Sequence, residues 1–218
     1  METLTEHELL KSTMLPTLEL ERELQGQGYQ LVAGIDEAGR GALAGPVVAA
    51  AVILPEDFSL KGVRDSKLIP ELEREALYDK VISSVLAYGI GIVDNEVIDK
   101  INILQSTFVA MRTAVEQIQI RPDVALIDGR DAPEVGVPAK AVIKGDAISV
   151  SIAAASIVAK VTRDRIMRDH HALFPEYGFD KNKGYGTRTH REAIERVGSC
   201  TLHRLTFLGN LRQERLSL

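Results

Sequence analysis

A single cysteine, Cys200, is all the thiol chemistry this 218-residue chain carries. That count excludes an internal disulfide and suits a reducing compartment, so a cytoplasmic location is expected. Tryptophan is absent and aromatic residues make up only 5%. Such a composition offers little for the base-stacking platforms of single-strand binders. Long apolar runs are missing too. The two longest weakly polar stretches, 41–54 and 147–159, fall short of the ~20 residues a membrane helix needs. The acidic N-terminus has no basic region followed by an apolar one, so no secretory signal is expected. The five histidines show no metal-ligand spacing, and His170, His171 and His190 are expected on the surface of basic helices.

What is present is an ordinary globular composition, 45% hydrophobic and 26% charged, enough for one sizeable core. The net charge of −5 argues against a polyanion partner, but its distribution does not. Residues 160–218 hold seven acids and twelve bases, a basic arm on an acidic body. Such an arm can attract a phosphate backbone, or it can be a solvated helical face.

Hydrophobic spacing predicts helices over 17–25, 70–82, 102–119, 147–170, 187–197 and 206–215. Strands are predicted over 30–36, 46–54, 87–93, 124–127 and 139–143. Strands first, then alternating helix and strand, then helices predict an α/β core with a mixed sheet and a helical C-terminal region. The expected division is an N-terminal helical extension (1–28), a core (29–170) and a basic helical region of the same domain (171–218).

Four carboxylates stand out because each follows an apolar strand. Asp36 and Glu37 close the run from Leu31, Asp128 follows Val124–Ile127, and Asp146 follows Ala141–Gly145. Acids at the ends of buried strands are costly unless something pairs with them. Converging carboxylates suit the hard cations Mg²⁺ and Mn²⁺, and two such ions can drive phosphodiester hydrolysis. Taken singly, Asp128 can be a turn residue and Asp146 a helix N-cap. Neighbours in a regular strand point to opposite faces, so Asp36 and Glu37 can share a site only if the strand ends or bulges there, which Gly39 would permit.

Gly39-Arg40-Gly41 can bring main-chain groups close to a substrate, with Arg40 reaching a phosphate or sugar. A dinucleotide-binding loop is disfavoured, because Pro46 and a β-like run follow the glycines where that loop needs a helix. Lys67, in Asp65-Ser66-Lys67, is a candidate phosphate contact. Lys160, Arg163 and Lys183 are the candidates on the basic arm. Tyr185, between Gly184 and Gly186, offers a flat ring and a hydroxyl. Cys200 has no evident activating neighbour and receives no role.

Together, Gly34–Gly41, Asp65–Lys67, Leu126–Gly129, Lys144–Asp146, Ala155–Lys160 and Lys183–Thr187 resemble ribonuclease HII, the bacterial type 2 ribonuclease H, over residues 30–210. The resemblance implies a ribonuclease H-like fold. It implies endonucleolytic cutting of the RNA strand of RNA–DNA hybrids and cleavage 5′ to single ribonucleotides in duplex DNA, leaving 3′-hydroxyl and 5′-phosphate ends. Mn²⁺ or Mg²⁺ is the implied cofactor. By position, Asp36, Glu37, Asp128 and Asp146 become metal ligands and catalytic residues. Gly39, Arg40 and Gly41 become the reader of the ribose 2′-hydroxyl, and Tyr185 the ring on the neighbouring sugar. A monomer without a membrane partner is expected. A non-catalytic hybrid-binding module is the competing reading.

Overall fold

The computed structural model describes residues 15–214, with the side chains of 210–214 left aside. Helix α1 (Glu19–Gly26) leads into the antiparallel pair β1 (Val32–Ala38) and β2 (Val47–Ile53). Helix α2 (Glu71–Ser84), strand β3 (Ala87–Val93) and helix α3 (Asn95–Glu116) follow. Strands β4 (Val124–Asp128) and β5 (Ala139–Val142) complete a sheet of order β3-β2-β1-β4-β5. β1 runs antiparallel to β2 and parallel to β4, so the sheet is mixed, as the sequence pattern predicts. Helix α4 (Val150–Leu173) then crosses the sheet, and the short helices α5 (Phe179–Asn182), α6 (Arg188–Val197) and α7 (Leu205–Glu214) form the C-terminal region.

Strand alternation sorts the core into two layers. Ala33, Ile35, Ala125 and Ile127 pack with Ala110, Met111 and Ala114 of α3. The opposite face carries Ala38, Ala50 and Val52 against Ala153–Ala155, Ile157 and Val158 of α4. The small residues of α4 let it lie very close to the sheet. A Cβ on Gly34 would sit 2.1 Å from the Ser151 carbonyl carbon, so only glycine fits there.

Two helices differ from their predicted spans for identifiable reasons. The helix expected over 102–119 starts at Asn95, capped by Asp94, whose Oδ1 accepts from Val97 N at 2.9 Å. It is broken at Asn102 (φ 66°), whose own side chain caps the second half through Gln105 N at 3.1 Å. The sequence pattern therefore picks up an internal restart. The helix expected from 147 begins at Val150, because Gly145–Ala147 form a 3₁₀ turn and Ser149 is the cap, its Oγ accepting from Ile152 N. Asp146 is thereby released from the capping role. Of the predicted N-terminal extension, residues 1–14 lie outside the described residues.

Candidate active site

The alternation that builds the core also decides which acids meet. On β1, Asp36 shares the α4 face with Gly34 and Ala38. On β4, Asp128 shares that face with Leu126, one register step beyond the Ile35–Ile127 pair. The turn holding Asp146 approaches the same point, fastened by Gly145 N donating to Asp128 Oδ1 at 2.6 Å. Asp36, Asp128 and Asp146 each offer an oxygen within 4.8 Å of the others.

Glu37 behaves differently. Pairing is regular through Ala38, so no bulge turns Glu37 onto the α4 face. It borders the same cleft from the strand's other side, and Arg40 NH1 donates to its Oε1 at 3.1 Å. Its Oε2 is buried without a hydrogen-bond partner.

Burial dominates the electrostatics here. It holds the Asp36 carboxyl well above its ordinary range, and the charges of Glu37 and Asp128 push it further. Burial also raises Glu37, against the pull of Arg40. Asp146 is raised by burial and by Asp65, with Lys67 opposing. The Lys67 ammonium lies 3.3 Å from Asp146 Oδ2. Burial pulls its pKa down, but Asp65, Asp146 and Asp36 outweigh that and raise it. Three mutually repelling carboxyls with an oxygen each within 4.8 Å of the others are a donor set that a hard divalent cation fits, because it would offset all three charges; Glu37 is not one of that group.

The cleft around these acids holds about 490 Å³ and is walled by the Gly39–Gly41 loop, Lys67, Arg74, Lys160 and Tyr185. Gly39 has φ 97°, and a Cβ on it would lie 2.0 Å from Arg163 Nε. Its glycine identity is set by internal packing. Gly41 has nothing within 4 Å of such a Cβ and faces open space. The loop is joined to the Tyr185 segment by Leu43 N donating to Gly184 O at 2.8 Å and by an Ala42–Tyr185 bridge.

The basic arm is not what its charge count suggests. Arg163 is fully buried, donating to the carbonyls of Pro46, Lys183 and Ala44 at 2.8, 2.9 and 3.1 Å. Lys183 is buried, bonded to the Asp180 carbonyl and 3.3 Å from Glu71. Neither side chain can reach a phosphate, which corrects their reading as substrate contacts. Lys160 borders the cleft but spends its charge on Asp164, 2.5 Å away. Arg165 and Arg168 are held by Glu75, and Arg168 also by Glu71. The arm's cations mainly fasten α2 and the loops to α4.

His190, expected on the surface, is fully buried with its Nε2 3.1 Å from His203 Nε2. Burial lowers both imidazoles, His203 to about 4 with His190 adding to the effect. Cys200 Sγ lies 3.2 Å from His203 Nδ1, but burial raises the thiol, so the pair stays neutral and unactivated.

Sequence reasoning also misses residues the site depends on. Ser156, readable only as a small packing residue, shares a 2.7 Å contact with Ser66 Oγ and opposes the upward push on the Asp36 pKa. Arg204, fully buried, donates to the carbonyls of Arg40 and Gly45 at 2.9 to 3.0 Å, fixing the glycine loop from behind. Burial and the neighbouring Arg163 pull its pKa down to about 9.

The family model for ribonuclease HII matches residues 33–209. The chain belongs to the ribonuclease HII family. Ribonuclease HII of Syntrophus aciditrophicus (strain SB) is 54% identical over 187 residues, covering 86% of this chain and 88% of that one. The crystal structure of the ribonuclease H2 from Pyrococcus horikoshii OT3 superposes with a TM-score of 0.69 at 27% identity, covering 85% of this chain and 98% of that one. Bst-RNase HIII in complex with Mn²⁺ has the same fold, with a TM-score of 0.68 at 18% identity over 99% of this chain and 75% of that one. The fold is thus ribonuclease H-like, and membership makes the chain a ribonuclease H hydrolase, an endoribonuclease. Among the described residues, no helix is long and apolar enough to cross a membrane.

Proposed function

We propose that this endonuclease depends on Mn²⁺ or Mg²⁺, cuts the RNA strand of RNA–DNA hybrids, and cuts 5′ to single ribonucleotides embedded in duplex DNA. The observation that carries this reading is the meeting of Asp36, Asp128 and Asp146 within 4.8 Å, with Glu37 beside them. These four carboxylates would hold the metal. When bound, it supplies activation of water and neutralises charge at the scissile phosphate, giving 3′-hydroxyl and 5′-phosphate ends. A structure of a Mn²⁺ complex of a protein with the same fold accords with that choice of ion.

The chain's own residues do the positioning. Asp36 is held by Glu37 N at 2.7 Å and Asp128 by Gly145 N, so the acids are oriented before any substrate arrives. Gly41, open to the cleft, lets the backbone of residues 39–41 approach the ribose, with Arg40 beside it. The Tyr185 ring packs on the next sugar. Lys67 and Lys160 face the phosphates. A site built for a hydroxyl leaves groups unpaired when the hydroxyl is missing, at about 1–3 kcal/mol each. Two or three such losses, about 2–9 kcal/mol, bracket the roughly 10⁴–10⁵-fold rejection seen in sites built to bind a hydroxyl. Because phosphates and the 2′-hydroxyl carry no base identity, cutting is expected at any base.

The biological reading is removal of misincorporated ribonucleotides by a cytoplasmic monomer. Residues 29–170 are the catalytic core, 171–218 a basic helical region of the same domain and 1–28 an N-terminal extension, with 1–14 and 215–218 outside the described residues. Incubation with a duplex carrying one ribonucleotide, with Mn²⁺ or with a chelator, tests the proposal. It predicts one cut, 5′ to the ribonucleotide, only with metal. Hybrid binding without any cleavage would instead favour a non-catalytic module.

A further inference from the structure

Glu21 is a buried carboxylate outside the cluster of cleft acids. It lies on α1, outside the core elements, yet its Oε1 is the most heavily bonded acceptor near the N-terminus of α4. It accepts from Ser149 Oγ at 2.6 Å, Ser151 Oγ at 2.7 Å and Ser151 N at 2.9 Å. Both serines are fully buried. Thr17 adds a strand-like clasp beside them: its N–H donates to Ile148 O at 2.9 Å, and its carbonyl accepts from Val150 N at 3.1 Å.

The segment so held begins at the metal-site turn. Ile148 N and Ser149 N both donate to Gly145 O, at 2.9 and 2.8 Å, while Gly145 N binds Asp128 Oδ1. Asp146 therefore sits on a turn pinned on one side by another cleft acid and on the other by α1. A negative charge near a helix N-terminus is favoured, and charged acceptors make the stronger hydrogen bonds. A neutral amide in its place would lose that advantage and present an N–H₂ to donors.

We propose that Glu21 is a positioning residue for the metal site, acting through Ser149 and Ser151 to fix the turn that carries Asp146. The inference rests on the carboxylates being the metal site. It gives the segment before the core a role beyond packing: α1 sets the register between Asp146 and its partners Asp36 and Asp128. Removing an outer partner of a metal ligand typically costs 10–100-fold in metal affinity. Glu21 stands further back, so a loss of about 3–10-fold is expected.

The test is calorimetric titration of Mn²⁺ into the full-length protein, its Glu21→Gln and Ser151→Ala variants, and a Leu24→Ala control, with melting temperatures measured alongside. Leu24 is buried on the same helix against Val32 and Val124 but bonds nothing in the turn. Glu21→Gln and Ser151→Ala are expected to raise the Mn²⁺ dissociation constant about threefold or more, while Leu24→Ala lowers the melting temperature and leaves Mn²⁺ affinity unchanged. Ser151→Ala keeps the bonds Glu21 receives from Ser149 Oγ and the Ser151 amide, and decides the matter if Glu21→Gln does not fold. A change smaller than threefold, or an equal change in Leu24→Ala, overturns the inference. Absence of Mn²⁺ binding by the unaltered protein would instead overturn the reading of the carboxylates.

Discussion

The guanidinium of Arg163 lies 5.2 Å from the centre of the Tyr185 ring while donating to three carbonyls of the two loops that wall the cleft. No carboxylate pairs with it within ion-pair distance among the described residues, so the three carbonyls, the Tyr185 ring and the more distant charge of Asp164 offset its desolvation. One buried cation thus sets the spacing between the glycine loop and the tyrosine.

Replacing that cation should be costly. Arg163→Ala leaves the Pro46, Ala44 and Lys183 carbonyls unpaired, and each buried unpaired group costs about 1–3 kcal/mol. Urea unfolding is expected to show a loss of at least about 3 kcal/mol. A midpoint close to that of the unaltered protein would mean the loops are spaced by something else.

The two glycines of the loop should separate. Gly39→Ala has both a positive φ and Arg163 Nε against it, so it should lower the melting temperature. Gly41→Ala has open space around it and should fold normally, yet lose at least about tenfold in cleavage at a single ribonucleotide, since it narrows the approach to the ribose. Equal melting temperatures for the two variants would contradict the packing account, and full activity of Gly41→Ala the functional one.

Of the candidate phosphate contacts, Lys67 borders the cleft and is mostly exposed, whereas Lys183 is buried away from it. Lys67→Ala should reduce the slope of log affinity against log salt for a hybrid duplex by about 1. Lys183→Ala should leave that slope alone and lower stability instead. Parallel salt titrations distinguish the two, and a slope change for Lys183→Ala would restore it as a phosphate contact.

Much of this architecture was legible beforehand. Asp36, Asp128 and Asp146, each following an apolar run, carry their own signal, because an acid beside a buried strand needs a reason to be there. The mixed sheet followed from the order of periodic segments. What stayed hidden was pairing at long range. Arg163 and Lys183 look like free cations in a basic arm, because sequence shows charge but not the carbonyls 117 and 20 positions from Arg163, at Pro46 and Lys183, that consume it. His190 reads as a surface residue for the same reason: its partner, His203, lies on another segment. Asn102 hid a helix break because a capping asparagine looks like a helix start in either case.

The raised carboxyls also set a pH dependence for the metal-free protein. Asp36 holds its proton more tightly folded than unfolded, above the ordinary 3.8. Its contribution to stability is therefore lost as pH rises from about 4 through the raised value. Asp36→Asn removes the repelling charge, so at pH 7 without metal the variant should melt higher. About 1 kcal/mol of relief corresponds to about 2–4 °C in a chain of this size. Saturating Mg²⁺ should raise the melting temperature of the unaltered protein and not that of the variant. A lower melting temperature for Asp36→Asn would show that its hydrogen bonds outweigh the repulsion.

The most direct measurement is the rate of single-ribonucleotide cleavage by Asp128→Asn across a Mn²⁺ titration, beside the unaltered protein and with folding checked by its melting curve. Asn keeps an oxygen to accept from Gly145 N and removes the charge. The account predicts a folded variant slower by roughly 100-fold or more, beyond the loss typical of an outer metal-site partner. A folded Asp128→Asn that cuts at the normal rate and at the same Mn²⁺ concentration would contradict it.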